Sequence, residues 1–358
     1  MMRAKSAMYY IPDIEQIAKE LLDVFEATKD TSCSLDVYPL LKLWSFESIA
    51  SIFVAKRFYC FSTENKNNTL DTKRMIVANE SMNVENTKLF FMPKIWQYIP
   101  NLIPSYRRFA KASETLQGIA KANVDAALQK IDLKNDLEQS ILAKFARKNG
   151  RDSPLCNTMA QDALIAGIDT TGSTSTFALY HLASNPDKQD LLYNEICDVI
   201  GDKDADITES KLNKMRYLKA LLHESQRIFP ATIGTSRIAQ TDCVILGYQI
   251  PKGTMLIYYN QVASNNSENF ENPEMFLPER WLRSSPDVKS AHPFSSIPFG
   301  HGPRSCIGRR FAHVELYCLI IKVLQKYRIE YHGEPVDTIT EFISIPNREV
   351  VIKFINRQ

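Results

Sequence analysis

The 358-residue chain lacks the features that mark several whole classes of protein. Glycine (12) and proline (17) are too scarce for a collagen-like or low-complexity chain. Neither charge sign dominates: 43 Lys and Arg stand against 41 Asp and Glu, so nothing demands nucleic acid or an acidic substrate. The seven cysteines, at positions 33, 60, 156, 197, 243, 306 and 318, are odd in number and widely spaced, with no C-x-x-C or C-x-x-C-H. That excludes a disulfide scaffold, a zinc knuckle and covalently attached c-type haem, and reads as a reducing compartment. No run of about 18 apolar residues is available to span a bilayer. The opening MMRAKSAMYYIPDIEQ has two early cations but neither the apolar stretch of a signal peptide nor a transit-peptide pattern. It reads as the middle of a domain.

What is present is globular composition. With 44% hydrophobic and 23% charged residues, the chain can build a large core and is too apolar to stay disordered. No repeat of about 20–50 residues and no linker divides it, so a single domain over residues 1–358 is expected. Most of the first 230 residues carry helical periodicity, beginning with the stripe Ile14, Ile17, Ala18, Leu21, Leu22 and Phe25. Further helices are expected over Val37 to Phe53, Arg107 to Lys130 and Asn157 to Ser184. The last of these is interrupted at Gly167, Asp169, Thr170, Thr171 and Gly172, and Pro186 suits the first turn of the helix after it. Three prolines in residues 92–105 break a helix pair. Beyond Pro230, Cys243 to Gly247 and Thr254 to Tyr258 read as strands, residues 262–305 as loop, Cys306 to Lys326 as a final helix, and the tail as short strands. On that helix Ile307, Phe311, Val314, Cys318 and Ile321 share a face. The fold class is mainly α with small β-sheets.

The strongest chemical signal is Phe299-Gly300-His301-Gly302-Pro303-Arg304-Ser305-Cys306-Ile307-Gly308, read as F-x-x-G-x-R-x-C-x-G. Chance would supply on the order of 10⁻⁵ such matches in a chain of this length. A thiolate ligand explains each fixed position. Cys306 at a helix N-terminus gains from free N–H groups and the helix dipole. Gly302 and Gly308 admit close backbone approach to a flat cofactor. Arg304 offers a cation to a cofactor carboxylate, and Phe299 keeps the sulfur dry. A second signal, Ala166-Gly167-Ile168-Asp169-Thr170-Thr171, lies inside the long helix. Thr170 there can bond back to a carbonyl and open the helix, giving Asp169 and Thr170 a place to hold water and relay protons. The pair Glu224 and Arg227 in LKALLHESQRIFP carries little alone, since about one E-x-x-R is expected by chance. It gains meaning beside Pro278-Glu279-Arg280-Trp281.

These four elements, in their order along the chain, resemble the cytochrome P-450 family, and the likeness runs from about Trp44 to the end. The resemblance implies a P-450 fold lacking its N-terminal portion, with haem b held by a Cys306 thiolate. It makes Arg237 a second cation for a haem carboxylate and joins Glu224, Arg227 and Arg280 in a structural set that supports the haem loop. It implies monooxygenation of an apolar substrate with O2, with electrons passing from NADPH through a reductase and a ferredoxin. Ala166, Gly167, Ile233, Gly234 and Phe342 become candidate pocket walls.

The sequence is most similar to the mitochondrial type. Pro93-Lys94-Ile95-Trp96-Gln97-Tyr98 looks like that type's loop between two distal helices. Arg309, Arg310 and Lys219 stand where it meets an adrenodoxin-like ferredoxin. His223 replaces a second lysine, which weakens or pH-tunes that contact, and His313 stands where Glu is commoner. The implied location is the matrix side of the mitochondrial inner membrane, with peripheral membrane contact. The segments ESQRIFPATIGTSR and AGIDTTGSTSTFALYHLASNPDKQ are similar to arthropod ecdysteroid-synthesis hydroxylases of the disembodied kind. Two other readings stay open: a truncated product that holds no haem and acts as an interaction or decoy protein, and a thiolate-haem isomerase or dehydratase. The intact Asp169-Thr170 pair argues against the last.

Overall fold

The helical periodicity becomes a stack of helices in the computed structural model, which describes residues 7–29, 31–61, 66–132, 140–201, 205–282 and 291–357. Residues 1–6 of the opening segment and 283–290 of the expected loop lie outside the described residues. Helix α1 (Ile11–Thr28) buries the stripe read from the sequence, Ile14 to Phe25. A short strand, β1 (Ser34–Asp36), leads into α2 (Tyr38–Val54). Helix α2 has apolar residues on every face and is buried accordingly, with Leu41, Trp44, Phe46, Ile52 and Phe53 at most 2% exposed. Helices α3 (Lys66–Phe91) and α4 (Pro104–Lys130) pack together as a hairpin. The proline-rich join between them folds as two 3-10 turns, Lys94–Gln97 and Pro100–Leu102. A short helix, α5 (Ile141–Asn149), starts where Ser140 Oγ accepts from the Ala143 amide at 3.1 Å.

Helix α6 (Pro154–Ser184) runs 31 residues without a break, against the expected interruption at Gly167 to Gly172. The threonine hydroxyls are satisfied inside the helix: Thr170 Oγ1 donates to the Ala166 carbonyl at 2.8 Å and Thr174 Oγ1 to the Thr170 carbonyl at 2.7 Å. The glycines answer to a neighbour instead. A Cβ on Gly167 would stand 2.8 Å from Ile49 Cγ1, and one on Gly172 would stand 3.0 Å from Lys42 Cγ. Both mark where α2 crosses α6. Ser45 Oγ of α2 also donates to the Gly167 carbonyl at 2.6 Å.

Helix α7 (Pro186–Val199) begins at the expected proline, and α8 (Glu209–Lys214) and α9 (Arg216–Ile228) follow. Two small antiparallel ribbons come next. Strand β2 (Thr235–Ile238) pairs with β5 (Met255–Tyr258), placing Arg237 opposite Leu256, and β3 (Cys243–Ile245) pairs with β4 (Tyr248–Ile250). The long stretch read as loop holds one helical turn, α10 (Asn260–Ser264), and 3-10 turns at Pro278–Trp281 and Gly302–Arg304. The final helix, α11, spans Arg309–Lys326. It therefore begins three residues after Cys306, because the turn through Pro303 and the cap at Gly308 delay it. Ile307 is 69% exposed and not part of its buried face, whereas Phe311, Val314, Cys318 and Ile321 are buried. The tail forms β6 (Tyr327–Glu330), β7 (Thr338–Glu341), β8 (Ile343–Pro346) and β9 (Val351–Asn356). Strands β1, β9 and β6 make one antiparallel sheet, and β7 pairs with β8. The result is mainly helical with small sheets, as the composition and periodicity led one to expect.

Candidate active site

The cysteine loop is shaped by its own backbone. The Gly300 amide donates to the Ile297 carbonyl at 2.8 Å, and Gly300 and Gly302 take φ of +67° and +74°, which side chains resist. The Cys306 amide closes the turn on the Phe299 carbonyl at 2.8 Å. Cys306 is thereby an exposed thiol on the wall of a cavity of about 840 Å³. The atom nearest a Cβ on Gly308 would be Cys306 Sγ at 3.9 Å, so a larger side chain there would lie against the sulfur. Phe299 meets the His313 ring edge-on at 4.9 Å and the Arg309 guanidinium at 5.5 Å.

Two further elements line the same cavity. From α6 come Ala163, Ala166, Gly167, Thr170, Thr171 and Thr174, at the three- and four-residue spacing of one helix face. From the ribbon and the loop come Arg237 and Arg304, two cations that line it. Of the candidate walls, Ala166 and Gly167 are in place, but Ile233, Gly234 and Phe342 do not line the cavity. A Cβ on Gly234 would stand 2.4 Å from the Tyr258 carbonyl, so that glycine serves backbone packing against β5. Phe342 sits at φ +64° between β7 and β8, 54% exposed. Ala231, Thr232 and Thr235 line the cavity instead.

Asp169 adjoins Thr170 in sequence but faces away from the cavity. It is buried against α3, accepting from Asn79 Nδ2 at 2.8 Å and Asn83 Nδ2 at 2.6 Å. Burial raises its carboxyl to about 6, with Lys42 pulling the other way. Nothing in A-G-I-D-T-T signals this; the i, i+4 amide pair on α3 is its trace in the sequence.

The E-x-x-R pair is sealed. Glu224 and Arg227 are both 0% exposed, paired by two bonds of 2.9 Å, and Arg280 Nε adds a third contact at 3.2 Å. Trp281 Nε1 and the Leu277 amide complete the carboxylate at 2.9 and 3.0 Å. Arg227 also donates to the carbonyls of Ser264, Pro273 and Met275. The set ties α9 to the segment that leads to the cysteine loop.

Lys219, His223, Arg309 and His313 form one group beside Phe299. Burial holds His223 below its ordinary value, with Arg309 assisting. Burial lowers His313 to about 4, helped by Arg309, His223 and Lys219. Burial thus disfavours the charged form of both rings, which makes His223 a poor substitute for the missing lysine.

Two wall residues escaped the sequence reading. Gln226 and Glu315 are 4% and 1% exposed, and each has a buried Oε1 without a partner among the described residues. Burial raises the Glu315 carboxyl to about 8. Glu315 lines the cavity with Ala312 and Leu316, a second face of α11 that its all-round burial hides from periodicity.

The sequence model of the family described as Cytochrome P450 (written P-450 here) matches residues 1–354, well before Trp44. The chain belongs to the cytochrome P-450 family. It is 34% identical to "Probable cytochrome P-450 49a1" of Drosophila melanogaster, over 93% of this chain and 58% of the relative. It is 31% identical to "Cytochrome P-450 CYP12A2" of Musca domestica, over 99% of this chain and 69% of the relative. It is 27% identical to the human "Sterol 26-hydroxylase, mitochondrial", over 100% of this chain and 69% of the relative. The chain thus spans 58–69% of the length of these three relatives. Cytochromes P-450 carry haem iron on a cysteine thiolate. The site fits that group: one exposed thiol, two guanidinium groups and largely apolar walls share a cavity of suitable size. Among the described residues no cluster of three His, Cys, Asp or Glu side chains could chelate a bare metal ion.

Proposed function

We propose that this chain works as a haem-thiolate monooxygenase on an apolar, steroid-like substrate. The observation that carries the reading is that Cys306, Arg237, Arg304 and the Gly167–Thr170 face of α6 share one cavity. Cys306 would hold haem b through its thiolate, with Arg237 and Arg304 for the haem carboxylates and Gly302 and Gly308 leaving room for close approach. The group, when bound, supplies dioxygen activation.

The chain's own residues supply the surroundings. Phe299, braced by His313 and Arg309, shields the sulfur. Thr170 already donates to the Ala166 carbonyl, so toward the cavity its oxygen accepts, and it orients a water proton there. Asp169, held by two amides, is a proton store one residue from the wall. Lys219, Arg309 and Arg310 present the basic face that an acidic adrenodoxin-like ferredoxin and its NADPH reductase require. Relatives named mitochondrial support a mitochondrial location; the matrix side of the inner membrane, with peripheral contact, is the finer reading that the family resemblance implies. No described helix is long and apolar enough to cross a membrane. The ecdysteroid class of substrate rests on the two α6 and α9 segments alone.

The test is the ferrous–CO difference spectrum of residues 1–358. The expected result is a red-shifted, thiolate-type Soret band that Cys306→Ala abolishes. A wild-type chain without the band, or a variant that keeps it, overturns the assignment. Reversing Arg309 and Arg310 to Glu should slow ferredoxin-dependent reduction on the order of tenfold while sparing the band; unchanged reduction removes the partner face.

A further inference from the structure

We propose that Glu315 is an internal acid that feeds protons across the cavity to the Thr170 face of α6. The inference rests on the monooxygenase reading above and gives that reaction a second proton source. Inserting one atom of O2 into a C–H bond and reducing the other to water consumes two electrons and two protons per turnover. The ferredoxin delivers electrons alone. Asp169 stores a proton one residue from the wall, but it faces away from the cavity, fixed to Asn79 and Asn83 of α3. Among the described residues, Glu315 is the one carboxyl that lines the cavity itself. It is 1% exposed, and its Oε1 has no partner among them.

The polar oxygens that share the cavity are acceptors. Gln226 of α9 contributes an Oε1 without a partner among the described residues. On α6 the Thr174 and Thr170 hydroxyls spend their protons on the Thr170 and Ala166 carbonyls, so toward the cavity each oxygen accepts. A carboxyl that keeps its proton donates where these accept. Burial alone raises Glu315 to about 8: Arg237, Arg304, His301 and Cys306 line the same cavity without shifting it, and on α11 the Cys318 thiol is the titratable neighbour that feels its charge. The acid is therefore loaded at neutral pH, yet near enough to its release point to act as a general acid. In the transfer the Glu315 O–H bond breaks, cavity water passes the proton on by exchanging O–H bonds, and the proton arrives beside the Thr170 oxygen. The carboxylate left behind regains a proton from water entering past the exposed Arg304 and Cys306.

Two measurements on the full chain test this. The infrared difference between wild type and Glu315→Gln, followed across pH, reads the carboxyl directly and needs no turnover. It should show a protonated carboxyl stretch at neutral pH that gives way to carboxylate as pH passes about 8. A carboxylate signal at neutral pH overturns the proposal. In the haem-loaded chain with ferredoxin, Glu315→Gln should slow product formation about a hundredfold, the low end for a positioned acid, since Asp169 remains. Its ferrous–CO band and its rate of reduction by ferredoxin should not move, and its solvent deuterium isotope effect should rise as proton delivery becomes the slow step. Glu315→Asp, which keeps an acid at the site, should recover most of the rate. A Glu315→Gln variant with wild-type turnover and isotope effect overturns the proton supply and leaves the haem reading standing, as does a slow Glu315→Gln that Asp does not rescue. A wild type without the ferrous–CO band overturns both.

Discussion

Glu224 and Glu315 are both sealed from solvent, at 0% and 1% exposure, yet they are opposites. Glu224 accepts five hydrogen bonds, from Arg227, Arg280, Trp281 and the Leu277 amide. Glu315 has an oxygen without a partner and a carboxyl pushed up to about 8. The contrast repeats between sequence neighbours: Arg227 is bonded at every nitrogen, while Gln226 leaves its Oε1 unpartnered. The satisfied pair fastens α9 to the loop segment; the unsatisfied pair borders the cavity. A buried polar atom without a partner costs roughly 1–3 kcal/mol. Of these two pairs, the one that fastens the scaffold avoids that cost and the one that borders the cavity bears it.

Arg227→Leu strikes the satisfied side and should have the largest effect. It strands the Glu224 charge, and chemical denaturation should show a loss of about 3–5 kcal/mol. A loss under about 1 kcal/mol would erase the distinction. Glu315→Gln sharpens the other side through pH. The folded protein keeps a proton on Glu315 up to about 8, whereas the unfolded chain releases it near the ordinary value of 4.5. The stability from this group is fully present below 4.5 and lost as pH rises toward 8. Asp169 adds a smaller decline of the same sign, ending near 6. Unfolding followed across this range should therefore be flatter in Glu315→Gln above pH 6; an unchanged slope would mean the carboxyl has a partner. Gln226→Leu should be the mildest, within about 1 kcal/mol of wild type or more stable, since it removes an acceptor that nothing satisfies. A loss above about 2 kcal/mol would place Gln226 in the scaffold.

Much of this was legible in the chain. The cysteine loop declared itself because five fixed positions leave little to chance, and the α1 stripe because one buried face alternates with a wet one. Arg237 and Arg304 both line the cavity. Other features were hidden for physical reasons. Asp169 and Thr170 read from the sequence as one proton-handling pair, but Asp169 is turned to two amides of α3, a partner the motif does not name. The break expected in α6 was inferred from glycines that instead answer to α2, a partner more than a hundred residues away. Ile233, Gly234 and Phe342 were chosen by position along the chain, and only packing against Tyr258 reveals why Gly234 is a glycine.

The Asn79 and Asn83 bonds to Asp169 have one more consequence. Helix α6 is a stiff shaft of ~46 Å, with Asp169 as a crank pinned to α3 and Thr170 as the next arm, a quarter-turn round, set in the cavity wall. The two amides thus fix the rotational setting of α6 against α3 at the turn whose next residue, Thr170, lines the cavity.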